Sequence, residues 1–344
     1  MSPHNPILSI VIPTVGRPMV LRAIESILAA AKSSELEIIV SGAVTMSPVA
    51  ERLAELMRRN NNIVHLPVSF ESGDSSAKKN AGWQAAHSEI VAFIDDDVVV
   101  GKDWPEKILE PFQDEKVGLV SGPGLVPDDI PLVGKLAGWT LASHAAGYVA
   151  ERYSADICAP KPVKWSRLIG CNMAYRRKVL EKICGFDVKF WPGEEMLAAY
   201  LATVREGYTL VFQPKAVLYH YPRASYGKFL KQMCGYGATR IRLIRSGTDI
   251  EPATLAPMFL VAAFVALVIL LFFSKIFAAL LVALLAAYFL FVLWCSFLKW
   301  RVEKKFSALL IALMIPGMHV SYGLAQWIEF FHPGKDLSLK SSPD

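Results

Sequence analysis

Residues 252–331 are almost continuously apolar, and this stretch restricts the fold more than any other feature of the chain. A backbone surrounded by lipid must satisfy its own hydrogen bonds, so such a stretch is read as helices. Three segments emerge: Pro252–Phe273, Ile276–Leu298 and Phe306–Phe331. They run to about 22, 23 and 26 residues, and about 20 suffice to cross a bilayer. Pro316-Gly317 falls inside the third, which is expected to kink or to be partly re-entrant. Helices buried in a soluble core are the alternative, against which the length and uniformity of the segments argue. Lys299, Arg301, Lys304 and Lys305 crowd the connection between the second and third segments, and Arg240, Arg242 and Arg245 precede the first. The Ser274-Lys275 turn carries one charge. The bias of basic residues toward the cytoplasm then places residues 1–250 and 299–305 inside and the C-terminus outside. The expectation is an integral protein of the inner membrane.

The remainder of the chain reads differently. Hydrophobic residues make up 53% of the sequence and charged residues 19%, but the apolar excess lies after residue 250. Residues 1–250 resemble an ordinary soluble domain. The net charge of +5 is not gathered in one run. Basic residues thicken beside the apolar region, which fits a membrane surface rather than nucleic acid. Five cysteines without a C-x-x-C pair argue against a disulfide framework or a zinc site. The opening residues lack the features of a secretory signal, so none is expected.

Short apolar runs alternate with helical periods over the first hundred residues. Leu8–Ile12, Glu37–Val40, Asn62–Pro67 and Ile90–Ile94 read as strands. Met19–Ala31, Ala50–Arg59 and Ala77–His87 read as helices. The class is therefore α/β, a mostly parallel sheet with helices on both faces, with ligands expected beyond the carboxyl ends of the strands. Pro13-Thr14, Ser41-Gly42 and Asp95–Asp97 occupy such ends. Val117–Ser121, Leu168–Tyr175, Thr209–Phe212 and Ala216–Tyr219 suggest further strands, and residues 122–164 an irregular region able to shape an acceptor site.

Asp95-Asp96-Asp97 follows a buried strand directly. Crowded carboxylates raise one another's pKa unless a cation intervenes, and hard oxygen ligands suit Mg2+ or Mn2+. Asp97 and Asp95 fall on the same side of an extended chain and are candidate ligands; Asp96 points elsewhere.

Six segments then appear in order: SIVIPTVGRP, SSAKKNAGWQAA, IVAFIDDDVVV, GCNMAYRRKVL, GFDVKFWPGEE and AVLYH. Together they resemble the family 2 glycosyltransferases over roughly residues 7–222. The resemblance implies a GT-A fold, inversion at the anomeric carbon, a nucleotide-sugar donor (UDP by default) and Mg2+ or Mn2+. It implies that Pro13, Thr14 and Arg17 lie near the nucleotide, with Lys79 and Asn80 at the family's Arg-Asn pair. Asp95 and Asp97 match its D-x-D motif, with Asp96 assisting, and His220 falls where some members place a further metal ligand. The family usually carries Glu-Asp at the catalytic base; here Glu194-Glu195 stands, so Glu195 takes that position. Ser41 stands where an Asp commonly contacts the base, which leaves the nucleotide open. The C-terminal segments resemble those of bacterial members that build surface glycans or exopolysaccharide.

The expected organisation is a catalytic domain over residues 1–221, an amphipathic linker helix over 222–250, a membrane domain over 251–332 and a tail. Phe229, Met233 and Tyr236 are expected on one face of the linker helix, which either lies in the interface or packs between domains. The acceptor is expected to be lipid-linked or a growing glycan. Alternatives are transfer to a polyprenyl phosphate, a sugar-nucleotidyltransferase, and a degenerate subunit that anchors a partner enzyme.

Overall fold

The computed structural model describes residues 6–30, 35–69, 75–154, 159–190, 192–221 and 225–334. Its strands are β1 (Leu8–Pro13), β2 (Leu36–Ser41), β3 (Ile63–Leu66), β4 (Ile90–Ile94), β5 (Val98–Val100) and β6 (Val117–Ser121). They continue as β7 (Gly124–Leu125), β8 (Lys161–Val163), β9 (Asn172–Arg176), β10 (Thr209–Phe212) and β11 (Leu218–His220). The helices are α1 (Met19–Ala30), α2 (Ser47–Arg59), α3 (Ser75–Ala85), α4 (Trp104–Leu109), α5 (Leu132–Leu141) and α6 (Arg177–Lys182). They continue as α7 (Glu194–Tyr200), α8 (Tyr226–Arg245), α9 (Ala256–Leu270), α10 (Ile276–Glu303) and α11 (Ile311–Phe331). Two compact units result. One holds Met1–Pro127 and Glu151–Tyr221; the other holds Asp128–Ala150 and Pro222–Asp344.

The first unit is built on an eight-stranded sheet in the order β3-β2-β1-β4-β9-β6-β10-β8. Strands β1, β2 and β4 are buried along almost their whole length, as expected of parallel strands covered on both faces. Helix α1 buries Val20, Ala23, Ile24 and Ile27, the stripe that its helical spacing predicts. The order has one consequence for the site. Strand β9 runs antiparallel between β4 and β6, with its first residue Asn172 opposite Ile94, the last residue of β4. Residues 170–171, just before β9, are therefore brought to the sheet edge where Asp95–Asp97 emerge.

Asn172 holds this corner. Its fully buried side chain accepts a hydrogen bond from Trp104 Nε1 at 2.9 Å and donates to Pro123 O and Ala216 O at 3.0 and 2.8 Å. A second sheet, β5-β11-β7, lies beyond the acidic turn. Here β11 runs antiparallel to β5, with His220 opposite Val98. The two- and three-residue strands β5, β7 and β8 are absent from the sequence reading, being too short to show a period.

In the second unit, residues 128–150 do more than the irregular loop expected of them. They supply α5, which packs on α11 and α8, and Asp128, which pairs with Lys305 at 2.7 Å. Helix α8 buries Phe229, Met233 and Gly237, whereas Tyr236 is exposed, so the buried stripe is turned from the expected one. A Cβ at Gly237 would stand 2.2 Å from Tyr322 O, so glycine lets α8 and α11 touch backbone to backbone. The helical stretches Pro252–Leu270, Ile276–Glu303 and Phe306–Phe331 are each long and apolar enough to cross a membrane.

Candidate active site

Strand β1 ends at Pro13, and Thr14 continues alongside β2 through its amide to Ser41 O at 2.9 Å. The Thr14 hydroxyl donates to Asp96 Oδ2 at 2.7 Å and accepts from Gly16 N at 2.9 Å. Asp96 is thus turned toward the first strand, where Arg17 also reaches it at 3.3 Å. Arg17 Nη1 lies 3.6 Å from Asp97 Oδ2, and half of its own side chain is exposed.

Asp95 and Asp97 gather with His220. One ligand atom from each, together with one from His220, falls within a 4.8 Å cluster, and all three side chains are partly buried. The β5–β11 pairing produces this. Tyr221 N donates to Asp97 O at 3.0 Å, which locks the strand end and leaves His220 Nε2 3.4 Å from Asp97 Oδ1. Burial, then the Asp97 charge, pushes the Asp95 carboxyl up to about 6. Burial likewise raises Asp96, against the pull of Arg17. Two carboxylates and an imidazole form a donor set for a hard to borderline divalent cation, and the crowding that raises Asp95 is what such an ion relieves. The residues present fit Mg2+ or Mn2+.

The opposite wall comes from α3 and α7. Helix α7 begins after Gly193, whose φ of 103° lies in the left-handed region that favours glycine. Its first residue, Glu194, is buried and accepts from Lys79 Nζ at 3.0 Å and from Gly193 N at 3.1 Å. Burial alone would pull the Lys79 ammonium down, but Glu194, Glu195 and Asp95 outweigh it and hold Lys79 charged. Burial opposes the Glu194 charge as well, yet Lys79 keeps that carboxyl below its usual range. Glu195 differs. Burial first, then the neighbouring Glu194 charge, pushes it up to about 7. Asp95 and Glu195 feel one another's charge and both act on Lys79, so the acidic cluster and Glu195 share one locality.

Two predicted residues serve the scaffold in this structure. Ser41 Oγ donates to Lys78 O at 2.8 Å and is fully buried. Asn80 donates to Phe186 O at 2.7 Å and accepts from Phe186 N and Trp83 Nε1, tying α3 to the loop that leads toward α7. The Gly170–Asn172 segment is expected from sequence to border the donor sugar or acceptor, with no role for single atoms; the structure gives Gly170 a particular place. A Cβ on it would lie 3.0–3.1 Å from Glu195 Cγ, Cδ and Oε1, so the bare backbone makes room for that carboxylate. Its signal in the sequence is a glycine just before the Cys171-Asn172 entry to β9, legible only once the β4–β9 register is known.

The family described as Glycosyltransferase like family 2 matches residues 4–235. The chain belongs to glycosyltransferase family 2. It is a glycosyltransferase of GT-A fold. Among solved structures it is similar to the mannosyltransferase PcManGT from Pyrobaculum calidifontis, in complex with GDP-Man and Mn2+. That likeness has 17% identity and a TM-score of 0.62, and covers 94% of this chain and 87% of the other. S. aureus TarS, residues 1–349, shows 16% identity and a TM-score of 0.45 over 72% of this chain and 67% of its own. No curated protein matches the sequence.

Proposed function

We propose that this glycosyltransferase takes a sugar from a nucleotide-sugar donor and transfers it, with inversion, to a lipid-linked or growing glycan acceptor at the cytoplasmic face of the inner membrane. The observation that carries the proposal is the pairing of two differently tuned acidic groups at one sheet edge. Asp95, Asp97 and His220 gather ligand atoms for one cation. Glu195, next to them, has a carboxyl held near 7 and a glycine backbone against it. A general base works best with a pKa near the working pH.

In this reading Glu195 removes the proton from the acceptor hydroxyl as that oxygen attacks the anomeric carbon. Glu194 and Lys79 do not exchange protons; they hold the start of α7 in place. Mg2+ or Mn2+ on Asp95, Asp97 and His220 would supply a positive charge for the leaving diphosphate. Arg17, half exposed and linked to both Asp96 and Asp97, is placed to add a second one. Thr14 and Pro13 border the same end of β1. Ser41 and Asn80, bonded inward, position α3 and its neighbours around the nucleotide.

A UDP-sugar is the donor proposed from the family resemblance. The similar mannosyltransferase was solved with GDP-Man, so the deciding panel includes both. Purified protein with Mn2+ or Mg2+ is expected to turn over one donor class, and the product anomer, read by NMR, is expected to be inverted. No turnover of any donor, with no metal or nucleotide binding, would support the anchoring-subunit alternative. Retained anomeric configuration would overturn the single-displacement role of Glu195.

A further inference from the structure

The three apolar stretches of the second unit are not equivalent. In Pro252–Leu270 and Ile276–Glu303 only 11% and 6% of the most apolar window is buried, and large side chains such as Phe259, Val282, Phe289 and Leu290 are exposed. In Phe306–Phe331 the share is 39%, and the mean hydropathy falls from 2.6 and 2.9 to 1.7. What buries it is mainly α8.

Helix α8 lies along α11 nearly end to end and in the same direction. Near its start, Tyr226 and Leu230 meet Gly317; Gly237 touches the Tyr322 backbone; Arg242 and Arg245 reach Glu329 at 3.0 and 3.9 Å. Helix α8 is about 30 Å long, the thickness of a hydrocarbon core. It carries Lys228, Lys231, Arg240, Arg242 and Arg245 and no acidic residue. A helix with five cations does not cross lipid, since charges at bilayer depth are costly. Whatever runs beside it over its whole length does not cross either.

We infer that α11 lies with α8 in the headgroup layer rather than across the bilayer, so that only α9 and α10 span and the C-terminus returns to the side of the N-terminal unit. The contacts of α11 with the spanning pair agree. Trp327 Nε1 donates to Met258 O and Gln326 Nε2 to Thr254 O, both at 2.9 Å, so the end of α11 sits at the start of α9. His319, midway along α11, meets Tyr288 of α10 at 2.9 Å. Antiparallel spans packed side by side would bring residues 326–327 past Tyr288 toward the 271–275 turn, at the far end of α9. They do not go there; α11 crosses the pair obliquely. The surface so formed, from α5, α8 and α11, fits the polar boundary of a bilayer, with Lys228 and Lys231 on the helix that meets anionic lipid.

The inference rests on membrane residence and reverses the C-terminal side that charge bias alone predicts for three spans. Its test is accessibility in sealed vesicles of both orientations. Cys184 is exposed on the first unit and serves as its reporter. With Cys158, Cys171, Cys234 and Cys295 replaced by alanine, a second cysteine is placed by Ser274→Cys or His332→Cys. A membrane-impermeant maleimide is expected to label positions 184 and 332 from one face and 274 from the other. Labelling of 332 together with 274 would overturn the inference. Labelling of all three from one face would overturn it too, and would also remove the membrane-spanning reading. A C-terminal epitope on the otherwise natural chain, tested for proteolytic loss in the same vesicles, gives the same answer if the cysteine variants do not fold. Its loss is expected in inverted vesicles that expose the first unit, and protection there would overturn the two-span arrangement.

Discussion

Each of the two units buries a glutamate beside a cation, and the two pairs are built differently. In the first, Glu194 and Lys79 are both almost inaccessible, and a second and third carboxylate, Glu195 and Asp95, press on the same ammonium. In the second, Glu329 is buried but its partners Arg242 and Arg245 keep a way to solvent. The second pair is electrically closed, with more cation than anion and water nearby. The first holds more negative charge than its one lysine can neutralise, and the surplus appears as the raised carboxyls of Glu195 and Asp95. Surplus negative charge in a partly open corner marks chemistry, whereas a buried carboxylate whose charge is fully met marks packing. Each prediction below removes one charge from one side of this contrast.

The largest effect is expected from Glu195→Gln. It keeps the shape of the side chain and removes the base, so transfer should fall by about 10^2- to 10^4-fold while nucleotide affinity is retained; calorimetry and single-turnover assays read the two separately. Near-normal turnover would take Glu195 out of the role. In the unsubstituted enzyme kcat/KM should rise with pH through about 7 as that carboxyl loses its proton. Stability should move the opposite way. The folded chain holds this proton more tightly than the unfolded chain, so the contribution of Glu195 is full below the ordinary glutamate range and is lost as pH rises toward 7. Glu195→Gln should therefore melt higher than the parent at pH 8 and nearly with it at pH 4.

Asp97→Asn comes next. It removes one of the two carboxylate ligands, and loss of a cation's several kcal/mol corresponds to roughly a thousandfold in rate. Nucleotide binding should lose its dependence on Mn2+. Metal-dependent binding that survives would show that the cation is not held by this cluster.

How much of this corner was legible beforehand depended on whether a residue acts through its neighbours in sequence or across the sheet. The strands Leu8–Pro13, Leu36–Ser41 and Ile90–Ile94 are short apolar runs and read directly. Asp95 and Asp97, two residues apart after a buried strand, carry their geometry in their spacing. His220 came from resemblance, because only the antiparallel β5–β11 pairing brings it to Asp97. Gly170 reads only as the start of the GCNMAYRRKVL segment, expected to border the donor sugar or acceptor; its nearness to Glu195 depends on β9 running antiparallel to β4. Residues 128–150 read as part of the irregular 122–164 region because α5, ten residues long with glycines at 134 and 138, shows little apolar period. The charge pattern around the last apolar segment counts residues but not partners, so it could not show that α11 lies along a helix with five cations.

The third prediction separates the two glutamates directly. Glu194→Gln leaves the Lys79 ammonium buried with less compensation, and breaking such a pair costs about 3–5 kcal/mol. The cost should sit at the lower end, because Glu195 is close enough to take over part of the partnership. That transfer has its own signature. Glu194 raises the Glu195 carboxyl and Lys79 lowers it, so losing the first and gaining more of the second should move the acid limb of kcat/KM to lower pH. An unmoved limb in a folded, less stable variant would mean that the Glu194 charge does not reach Glu195.

The smallest effect is expected from Glu329→Gln. The amide keeps an acceptor oxygen for Arg242, and Arg242 and Arg245 can each turn part of their charge to water, so a loss of about 1–2 kcal/mol is expected. The pH profile of transfer should not change, because the groups that set the Glu195 carboxyl, Glu194, Lys79 and Asp95, all stay in place. A loss as large as that from Glu194→Gln would mean that Arg242 and Arg245 are sealed from water. The helices α8 and α11 would then be immersed more deeply than a headgroup layer allows, and the contrast between an open and a closed charge cluster would fail on the membrane side.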